Sequence, residues 1–183
     1  MPRFFTDNIL ENTAIITGDD AKHIGKVLRC KIGEKITVCD AKGFDYECEI
    51  ASISDSVTLN ILTKAENKSE PSVKVHLFQA LPKSDKMEFI IQKAVELGVS
   101  EITPIMTSRC VSRPEKSKMK KKIERYNAVS KEAAKQSGRG IIPIVNPLLS
   151  YNQCIEKIKD FDKTILFYEN GGERLNSIIN SDI

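Results

Sequence analysis

Two arginines, Arg109 and Arg113, lie four residues apart in the short sequence TSRCVSRP. A guanidinium group is planar and can bind two phosphate oxygens at once, so this pair favours recognition of a polyanion. Lys83 lies between a predicted strand and a predicted helix, where a cation can contact a phosphate that also faces helix amides. The ordinary alternative for Lys83 is a surface lysine near the end of a helix.

The charge around these arginines is unbalanced. Between Arg109 and Arg139 the chain has eleven basic and three acidic residues, which gives this segment a net charge of +8. The whole chain of 183 residues has a net charge of only +3, so the remainder is slightly acidic. Such a local positive field indicates a nucleic-acid partner, although a solvated, lysine-rich helix face would show the same composition.

The segment EAAKQSGRGIIPIV lies where this field ends. A helix is predicted to stop at Gly138, and Gly140 then lets the chain turn into an apolar strand. We expect Gln136 and Arg139 to face outward at this helix end. Arg139 is also a weak candidate for an electrostatic catalytic residue, since no histidine or carboxylate is placed convincingly as a general base.

The composition narrows the class of protein. Hydrophobic residues make up 40% and charged residues 29% of the chain, which is typical of a globular protein with a packed core. No apolar run approaches the roughly 20 residues of a membrane span, and no signal peptide is apparent, so we expect a cytoplasmic protein. Five scattered cysteines and two histidines show neither disulfide nor metal-ligand spacing, which predicts free thiols and no metal site.

The first part of the chain is predicted to be rich in β-structure. Apolar and alternating patterns predict strands at residues 13–17, 34–40, 45–53 and 56–63, and Gly43 predicts a hairpin turn between the second and the third. One helix is predicted between the first two strands, with Asp19 or Asp20 as its N-cap and with Ile24, Val27 and Leu28 on one face. Together these elements predict a small, partly open barrel. The polar segment Lys64–Ser72 is the best candidate for a linker.

From residue 73 onward, predicted strands and helices alternate, which indicates an α/β layer with a mostly parallel sheet. The strands are VKVHLFQAL, SEITPIMT, GIIPIV and KTILFYEN. The helix after the first of them carries Asp85 and Glu88 at capping-box spacing. Its apolar side chains are predicted to form one stripe, made of Met87, Ile90, Ile91, Ala94 and Val95. Because ligands bind at the carboxyl ends of parallel strands, three loops are expected to border a site. They span residues 81–85, 107–114 and 168–172.

Four motifs occur in register along the chain: PRFF, HIGKVLRCKIGE, KSDKMEFIIQKAVELGVSEITPI and EAAKQSGRGIIPIV. Together they resemble the ribosomal RNA small subunit methyltransferase E family over essentially the whole sequence. The resemblance implies an α+β chain of two domains. Residues 1–66 would form a PUA-like β-barrel that binds RNA, and residues 73–183 a SPOUT-type α/β methyltransferase domain, which is knotted when complete. Family members are homodimers that transfer a methyl group from S-adenosylmethionine to N3 of uracil 1498 in 16S ribosomal RNA.

The resemblance also suggests roles for individual residues. It implies RNA contact in the barrel, with pairing of Arg29 to Glu34 and a structural role for the histidine as alternatives. It implies cofactor contact in the strand ILFYEN, for which a core strand is the alternative. The RNA-contacting residues are Arg3, His23, Arg29, Lys83, Arg109, Arg113 and Arg139, and the cofactor-contacting residues are Leu166, Phe167, Tyr168 and Glu169.

The family pattern continues past Ile183, with a glycine-rich loop and a further segment that build the knot and most of the cofactor pocket. We therefore expect this chain to be a truncated form, with no methyl transfer and weak or no cofactor binding. A non-catalytic module that binds RNA or the ribosome is the main alternative. A nonspecific nucleic-acid protein that uses only the positive field is a further one.

Overall fold

The computed structural model describes residues 1–83, 86–168 and 170–179. The first half of the chain is a five-stranded sheet with one helical insertion. The strand order is β1-β3-β4-β5-β2; β1 is parallel to β3, and the other neighbours are antiparallel. The elements are β1 (Arg3–Phe5), β2 (Thr13–Ile16), α1 (Gly18–Lys22), a π-helical turn (His23–Val27), β3 (Lys35–Cys39), β4 (Phe44–Ile53) and β5 (Val57–Glu66).

Alternation of apolar and polar residues gives this sheet one buried face. Ile36 and Val38 of β3 and Ile50 of β4 are fully buried, whereas Thr37, which lies between the first two, is more exposed. Gly43, at a φ of +100°, permits the tight turn between β3 and β4. Register shifts along the long β4–β5 pair increase the twist, so the sheet curls around its core as a partly open barrel should.

The helix after β2 differs from the prediction. Thr17 occupies the N-cap position, while Asp20 binds lysines of the second domain. The helix continues as a π-helical turn, whose wider spacing breaks the expected stripe. Ile24 is therefore fully buried, whereas Val27 is 69% exposed and Leu28 is 42% exposed.

The second half of the chain alternates strands and helices, as predicted. Strand β7 is parallel to β6, to β8 and to β9, so its neighbours form a parallel sheet. The elements are β6 (His76–Ala80), α2 (Lys86–Glu96), β7 (Glu101–Met106), α3 (Lys116–Gln136), β8 (Ile144–Val145), β9 (Leu149–Ser150), α4 (Tyr151–Lys157), a 3-10 turn (Ile158–Asp160) and α5 (Leu175–Ile178).

Helix α2 confirms the predicted apolar stripe. Met87, Ile91 and Val95 are buried against the sheet, and Gly98 ends the helix at a φ of +99°. The capping box predicted from Asp85 lies outside the described residues.

The core of the second domain includes side chains from the first. Phe5 of β1 and Cys39 of β3 pack in the same buried cluster as Tyr126 and the small residues Ala133 and Ala134 of α3. The two halves of the chain therefore share a continuous apolar contact, which ties the C-terminal end of α3 to the barrel.

The segment KTILFYEN does not form the predicted strand. Residues 161–168 are not in a strand, and none of the described strands pairs with them. A strand is stable only when a neighbour satisfies its backbone N–H and C=O groups. Without such a neighbour, Leu166, Phe167 and Tyr168 are 84%, 79% and 57% exposed.

A buried polar cluster lies at the amino end of the parallel sheet. His76 Nε2 is 2.7 Å from Thr103 Oγ1, and His76 Nδ1 is 3.6 Å from a Glu101 carboxylate oxygen. Asn146 Nδ2 donates to both Thr103 and Glu101, at 3.1 and 3.0 Å. The His76 ring also stacks on Phe78, with 4.2 Å between ring centroids.

This environment favours the neutral imidazole. Burial is the main cause that lowers the pKa of His76; the charge of Lys157 adds to it, and Glu101 opposes it. The unfolded chain consequently binds a proton at this position more readily than the folded one.

We predict that the contribution of the lowered His76 pKa to the free energy of unfolding is fully present above about pH 6.5 and is lost as the pH falls below that value. In urea titrations at about pH 7.5 and about pH 5.5, the His76→Phe variant should lose less unfolding free energy than the original chain. Equal losses in the two proteins would contradict this account.

Candidate nucleic-acid interface

The helix end at QSGRG turns the chain inward. Gly138 leaves α3 at a φ of +74°, and the Ser137 hydroxyl donates to the Ala133 carbonyl at 2.7 Å. Arg139 follows and is only 3% exposed. The predicted outward orientation of Arg139 is therefore wrong, because the turn at Gly138 directs its side chain into the protein.

The Arg139 guanidinium makes four hydrogen bonds inside the protein. Nε and Nη2 bind the two carboxylate oxygens of Glu70 at 2.9 and 2.7 Å. Nη1 donates to the carbonyls of Val95 and Val99, both at 3.0 Å. These two carbonyls flank the C-terminal end of α2, where unpaired C=O groups favour a cation. Through its bonds to Glu70, Arg139 thus links the segment between the two domains to the C-terminal end of α2.

Glu70 completes the arrangement from the other side. Its Oε1 atom also accepts hydrogen bonds from the backbone N–H groups of Gly140 and Ile141, at 2.9 and 3.1 Å. Burial alone would raise the pKa of the Glu70 carboxyl, but hydrogen bonds and charge from Arg139 outweigh it, so the pKa is lowered. The Glu70 carboxyl is therefore ionised at neutral pH.

A second arginine contributes from the barrel. Arg3 binds both carboxylate oxygens of Asp45, at 2.8 and 2.6 Å, and its Nη2 also donates to the Arg139 carbonyl at 2.8 Å. Asn67 bridges the same elements, since its amide donates to Asp45 at 2.8 Å and to the Gly138 carbonyl at 3.1 Å. We call this connected set the domain junction; its members are Arg3, Asp45, Asn67, Glu70, Arg139 and Gly140.

Gly140 is required here for its small size. A Cβ atom at this position would lie 2.7 Å from Asn67 Cβ, which is closer than two non-bonded carbon atoms approach. Its carbonyl accepts from Gly43 N–H at 3.2 Å and from the Cys39 thiol at 3.3 Å. Burial raises the pKa of that thiol to about 11. The two glycines of QSGRG thus allow the helix end and the barrel to touch backbone to backbone.

The predicted linker Lys64–Ser72 is consequently not a free connection. Strand β5 continues to Glu66, and Asn67 and Glu70 belong to the domain junction. Sequence reasoning missed Asn67, Glu70 and Asp45 as partners. The available signal was the acidic residue directly before Pro71 in a polar segment, which is too weak to identify a contact 69 residues away.

The C-terminal half of α3 is joined to the barrel by further ion pairs. Lys135 lies 2.9 Å and Lys131 lies 3.3 Å from the Asp20 carboxylate, and Lys135 also pairs with Glu132 at 3.2 Å. The Lys135 ammonium lies 5.0 Å from the centre of the Phe4 ring. These contacts border a cleft of about 330 Å³ between the barrel and α3.

The barrel residues predicted to contact RNA have different environments. His23 lines the cleft, half-buried, with its ring edge-on to Phe4 at 6.0 Å. Arg29 is exposed and adopts a left-handed backbone conformation at a φ of 54°. Arg3 also borders the cleft, but its guanidinium is bound to Asp45. His23 and Arg29 are therefore accessible from solvent, whereas Arg3 holds the barrel to the helix end.

The basic loop after β7 is ordered by its own hydrogen bonds. Arg113 donates to the Ser108 carbonyl at 3.1 Å and to the Cys110 carbonyl at 3.5 Å. Thr107 Oγ1 lies 3.4 Å from the buried Cys110 Sγ, which anchors the loop to the sheet. Arg109 and Arg113 are both exposed at the carboxyl edge of the parallel sheet.

The remaining candidate residues are exposed or lie outside the described residues. Lys83 is exposed at the end of the preceding loop, directly before residues 84–85, which are not described. Of the proposed cofactor contacts, Leu166, Phe167 and Tyr168 are exposed, and Glu169 lies outside the described residues. Side chains this exposed do not enclose an adenosyl group, so Leu166, Phe167 and Tyr168 do not by themselves form a fitting cofactor pocket.

The part of the chain that the structure describes shows neither a metal-binding group of residues nor a membrane-spanning helix. No group of three His, Cys, Asp or Glu residues among residues 1–83, 86–168 and 170–179 is arranged to hold a metal ion. None of the helices in these ranges is long and apolar enough to cross a membrane. All five cysteines are free thiols.

The domain junction generates a direct stability prediction. Removing one partner of a buried ion pair leaves an uncompensated charge, so Arg139→Ala should lower the free energy of unfolding by about 3–5 kcal/mol. Arg125→Ala is a matched control, since Arg125 pairs with Glu88 but its side chain is 66% exposed; it should cost less than about 1 kcal/mol. Chemical denaturation measures both, and Glu70→Gln provides a milder change at the same contact. Equal costs for the Arg139 and Arg125 variants would contradict the assigned role.

The two halves of the chain match two known domain families. Residues 16–62 match the RNA methyltransferase PUA domain family, and residues 68–182 match the RNA methyltransferase domain family. These matches confirm the predicted fold class, with a PUA-like barrel followed by a SPOUT-type methyltransferase domain. The predicted domain limits, residues 1–66 and 73–183, stay predictions.

Solved structures with the same fold include proteins with bound S-adenosyl methionine. A ribosomal RNA small subunit methyltransferase E from Neisseria gonorrhoeae bound to S-adenosyl methionine has a TM-score of 0.79 and 30% identity, over 86% of this chain and 66% of that one. A putative methyltransferase from Legionella pneumophila, also with the cofactor, has a TM-score of 0.78 and 29% identity, over 85% and 65% of the two chains.

Sequence relatives give the same assignment. Ribosomal RNA small subunit methyltransferase E from Bacillus subtilis is 37% identical over 163 residues, which cover 88% of this chain and 64% of the relative. Its counterpart from Mesomycoplasma hyopneumoniae is 32% identical over 176 residues, which cover 96% and 75% of the two chains. The chain thus spans about two thirds of the length of these relatives, and it belongs to the ribosomal RNA small subunit methyltransferase E family.

Proposed function

We propose that this chain provides the RNA-binding part and a portion of the catalytic domain of an S-adenosylmethionine-dependent ribosomal RNA methyltransferase. The main support for this proposal is the exposed pair Arg109 and Arg113 at the carboxyl edge of a parallel sheet. The chain that carries this pair matches both RNA methyltransferase domain families. That edge is where α/β sheets bind their ligands. The proposed reaction site is N3 of a uracil in small-subunit ribosomal RNA.

The exposed residues suggest how the RNA is held. Arg109 and Arg113 would each bind phosphate oxygens beside the target base, and Lys83 would add a third cation at the same edge. His23 and Arg29 would contact the RNA from the barrel. Two separate contact regions on one rigid frame orient the substrate better than either region alone, because fewer orientations remain to be restricted in the transition state.

The chemistry sets two demands on the protein. N3 of uracil carries a proton and normally pairs, so the base must be unpaired and must lose this proton before a methyl group can be attached. S-adenosylmethionine, when bound, supplies an electrophilic methyl group, and the protein supplies alignment. The buried Arg139 is already bound to Glu70 and two carbonyls, so it cannot stabilise the N3 anion. The exposed guanidinium groups of the loop after β7 are better placed for this role.

The main alternative is a module that binds RNA or the ribosome without catalysis. The exposure of Leu166, Phe167 and Tyr168 favours it for the 183-residue chain taken alone. The homodimer implied by the family resemblance stays a prediction.

A cofactor titration separates these states. We predict that isothermal calorimetry detects weak or no binding of S-adenosylmethionine to the 183-residue chain, because the candidate contacts are open to solvent on several sides. Tight binding to this chain would contradict the proposed incomplete pocket.

Methylation can be followed in cells. A methyl group on N3 blocks base pairing, so reverse transcription of small-subunit ribosomal RNA stops beside the modified uracil. In a bacterial strain without its own enzyme, we expect the full-length relative from Bacillus subtilis to restore this stop and the 183-residue chain to leave it absent. Restoration of the stop by the 183-residue chain would contradict the proposed incomplete catalytic domain.

The basic loop is tested separately by RNA binding. We predict that Arg109→Gln together with Arg113→Gln weakens binding of a small-subunit ribosomal RNA hairpin and lowers the slope of log K against log salt by about 0.7–0.9 for each lost phosphate contact. The double variant Lys74→Gln and Arg174→Gln is the matched control, since both side chains are exposed and removed from this loop in sequence. An unchanged slope in the loop variant would show that the two arginines do not bind phosphate.

A further inference from the structure

The structure divides the positive field of Arg109–Arg139 into two parts with different surroundings. In the sequence, this segment has eleven basic and three acidic residues. The fold shows which of these positive charges are neutralised by acidic residues from elsewhere in the chain. The two ends of helix α3 differ sharply in this respect.

The C-terminal end is neutralised. Lys131 and Lys135 face Asp20, Lys135 also contacts Glu132, and Arg139 is bound by Glu70. Three cations thus meet three carboxylates, two of which come from outside the segment. These charges hold α3 to the barrel and to the domain junction, so they add little to the external field.

The N-terminal end is not neutralised. We call Lys118, Lys120, Lys121 and Lys122 the lysine ridge; the first three are exposed and the fourth is half-buried. Among the described residues, the one acid paired with a ridge lysine is Glu115, 3.5 Å from Lys118. Both of these side chains are more than 70% exposed, so the pair screens little charge.

The orientation of α3 is fixed by its apolar side. Met119 and Tyr126 are 5% and 4% exposed and pack in the core of the second domain. With 3.6 residues in each turn, the ridge lysines must then lie on the flanks and outer side of the helix. The helix starts three residues after Arg113, so the ridge extends the positive surface of the loop after β7 along the helix.

We propose that the lysine ridge binds the phosphate backbone of the substrate RNA beyond the target nucleotide, an inference that rests on the proposed function. Flexible lysines act as point charges and suit backbone contacts, which position an RNA without reading its sequence. A membrane surface is a poor alternative occupant, because a membrane-binding helix needs a free apolar face and the apolar face of α3 is buried.

The test replaces all four ridge lysines by glutamine, which has a similar helix propensity. The probe is a fluorescent small-subunit ribosomal RNA hairpin, with a scrambled hairpin of equal length beside it, titrated at several KCl concentrations. The control carries Lys42→Gln, Lys68→Gln, Lys74→Gln and Lys159→Gln, which remove the same charge from exposed positions outside α3. Circular dichroism and thermal unfolding check that both variants keep the original fold.

The ridge variant should bind both hairpins about tenfold or more weakly at low salt, with the salt slope lowered by about two to four relative to the control. Equal loss for both hairpins is expected, because phosphate contacts carry no sequence information. If the ridge and control variants share one slope, the ridge is only a solvated helix face and the inference fails. If the ridge variant instead loses binding to anionic phospholipid vesicles and keeps RNA binding, the inference also fails. If the original chain binds neither hairpin, the proposed function itself is overturned.

Discussion

The buried pair of Arg139 and Glu70 is the interaction on which the rest of this structure depends. Removing two charges from water is costly, and the cost is offset only when every donor and acceptor finds a partner. Here the guanidinium binds both carboxylate oxygens and two carbonyls at the end of α2, and the carboxylate also receives two backbone N–H groups. One contact thus joins the segment between the domains, α2 and the end of α3.

The direction of α3 follows from this contact. Its C-terminal end is held by the domain junction and by the ion pairs to Asp20, while its apolar side packs on the parallel sheet. Its N-terminal end, with the lysine ridge and the neighbouring arginine loop, is then fixed relative to the barrel residues His23 and Arg29. An RNA contacting both regions would meet surfaces that are already in place, which lowers the entropic cost of binding.

The sequence predicted local features well and long-range ones poorly. The stripe Met87, Ile91 and Val95 and the turn at Gly43 follow from periodicity and glycine chemistry, and the structure confirms both. The partner of Arg139 could not be predicted, because nothing in the local pattern indicates a carboxylate 69 residues earlier. A guanidinium beside two glycines suggests a surface site as readily as a buried one.

The remaining differences have similar causes. Residues 161–168 have the composition of a strand, but composition cannot show whether a neighbouring strand is available to pair with them. The π-helical turn at His23–Val27 changes the spacing within one turn, so a periodicity of 3.6 assigns Val27 to the wrong face. The candidate RNA-contacting residues differ in burial, which separates the exposed Arg109 and Arg113 from the buried Arg139.

Differential scanning calorimetry of the chain tests most directly whether the domain junction couples the two domains. The account predicts one unfolding transition, with a calorimetric enthalpy about equal to the van't Hoff enthalpy. It also predicts that Glu70→Gln separates this transition into two or lowers its apparent cooperativity. Two independent transitions in the original chain, unaffected by the change at Glu70, would contradict the account.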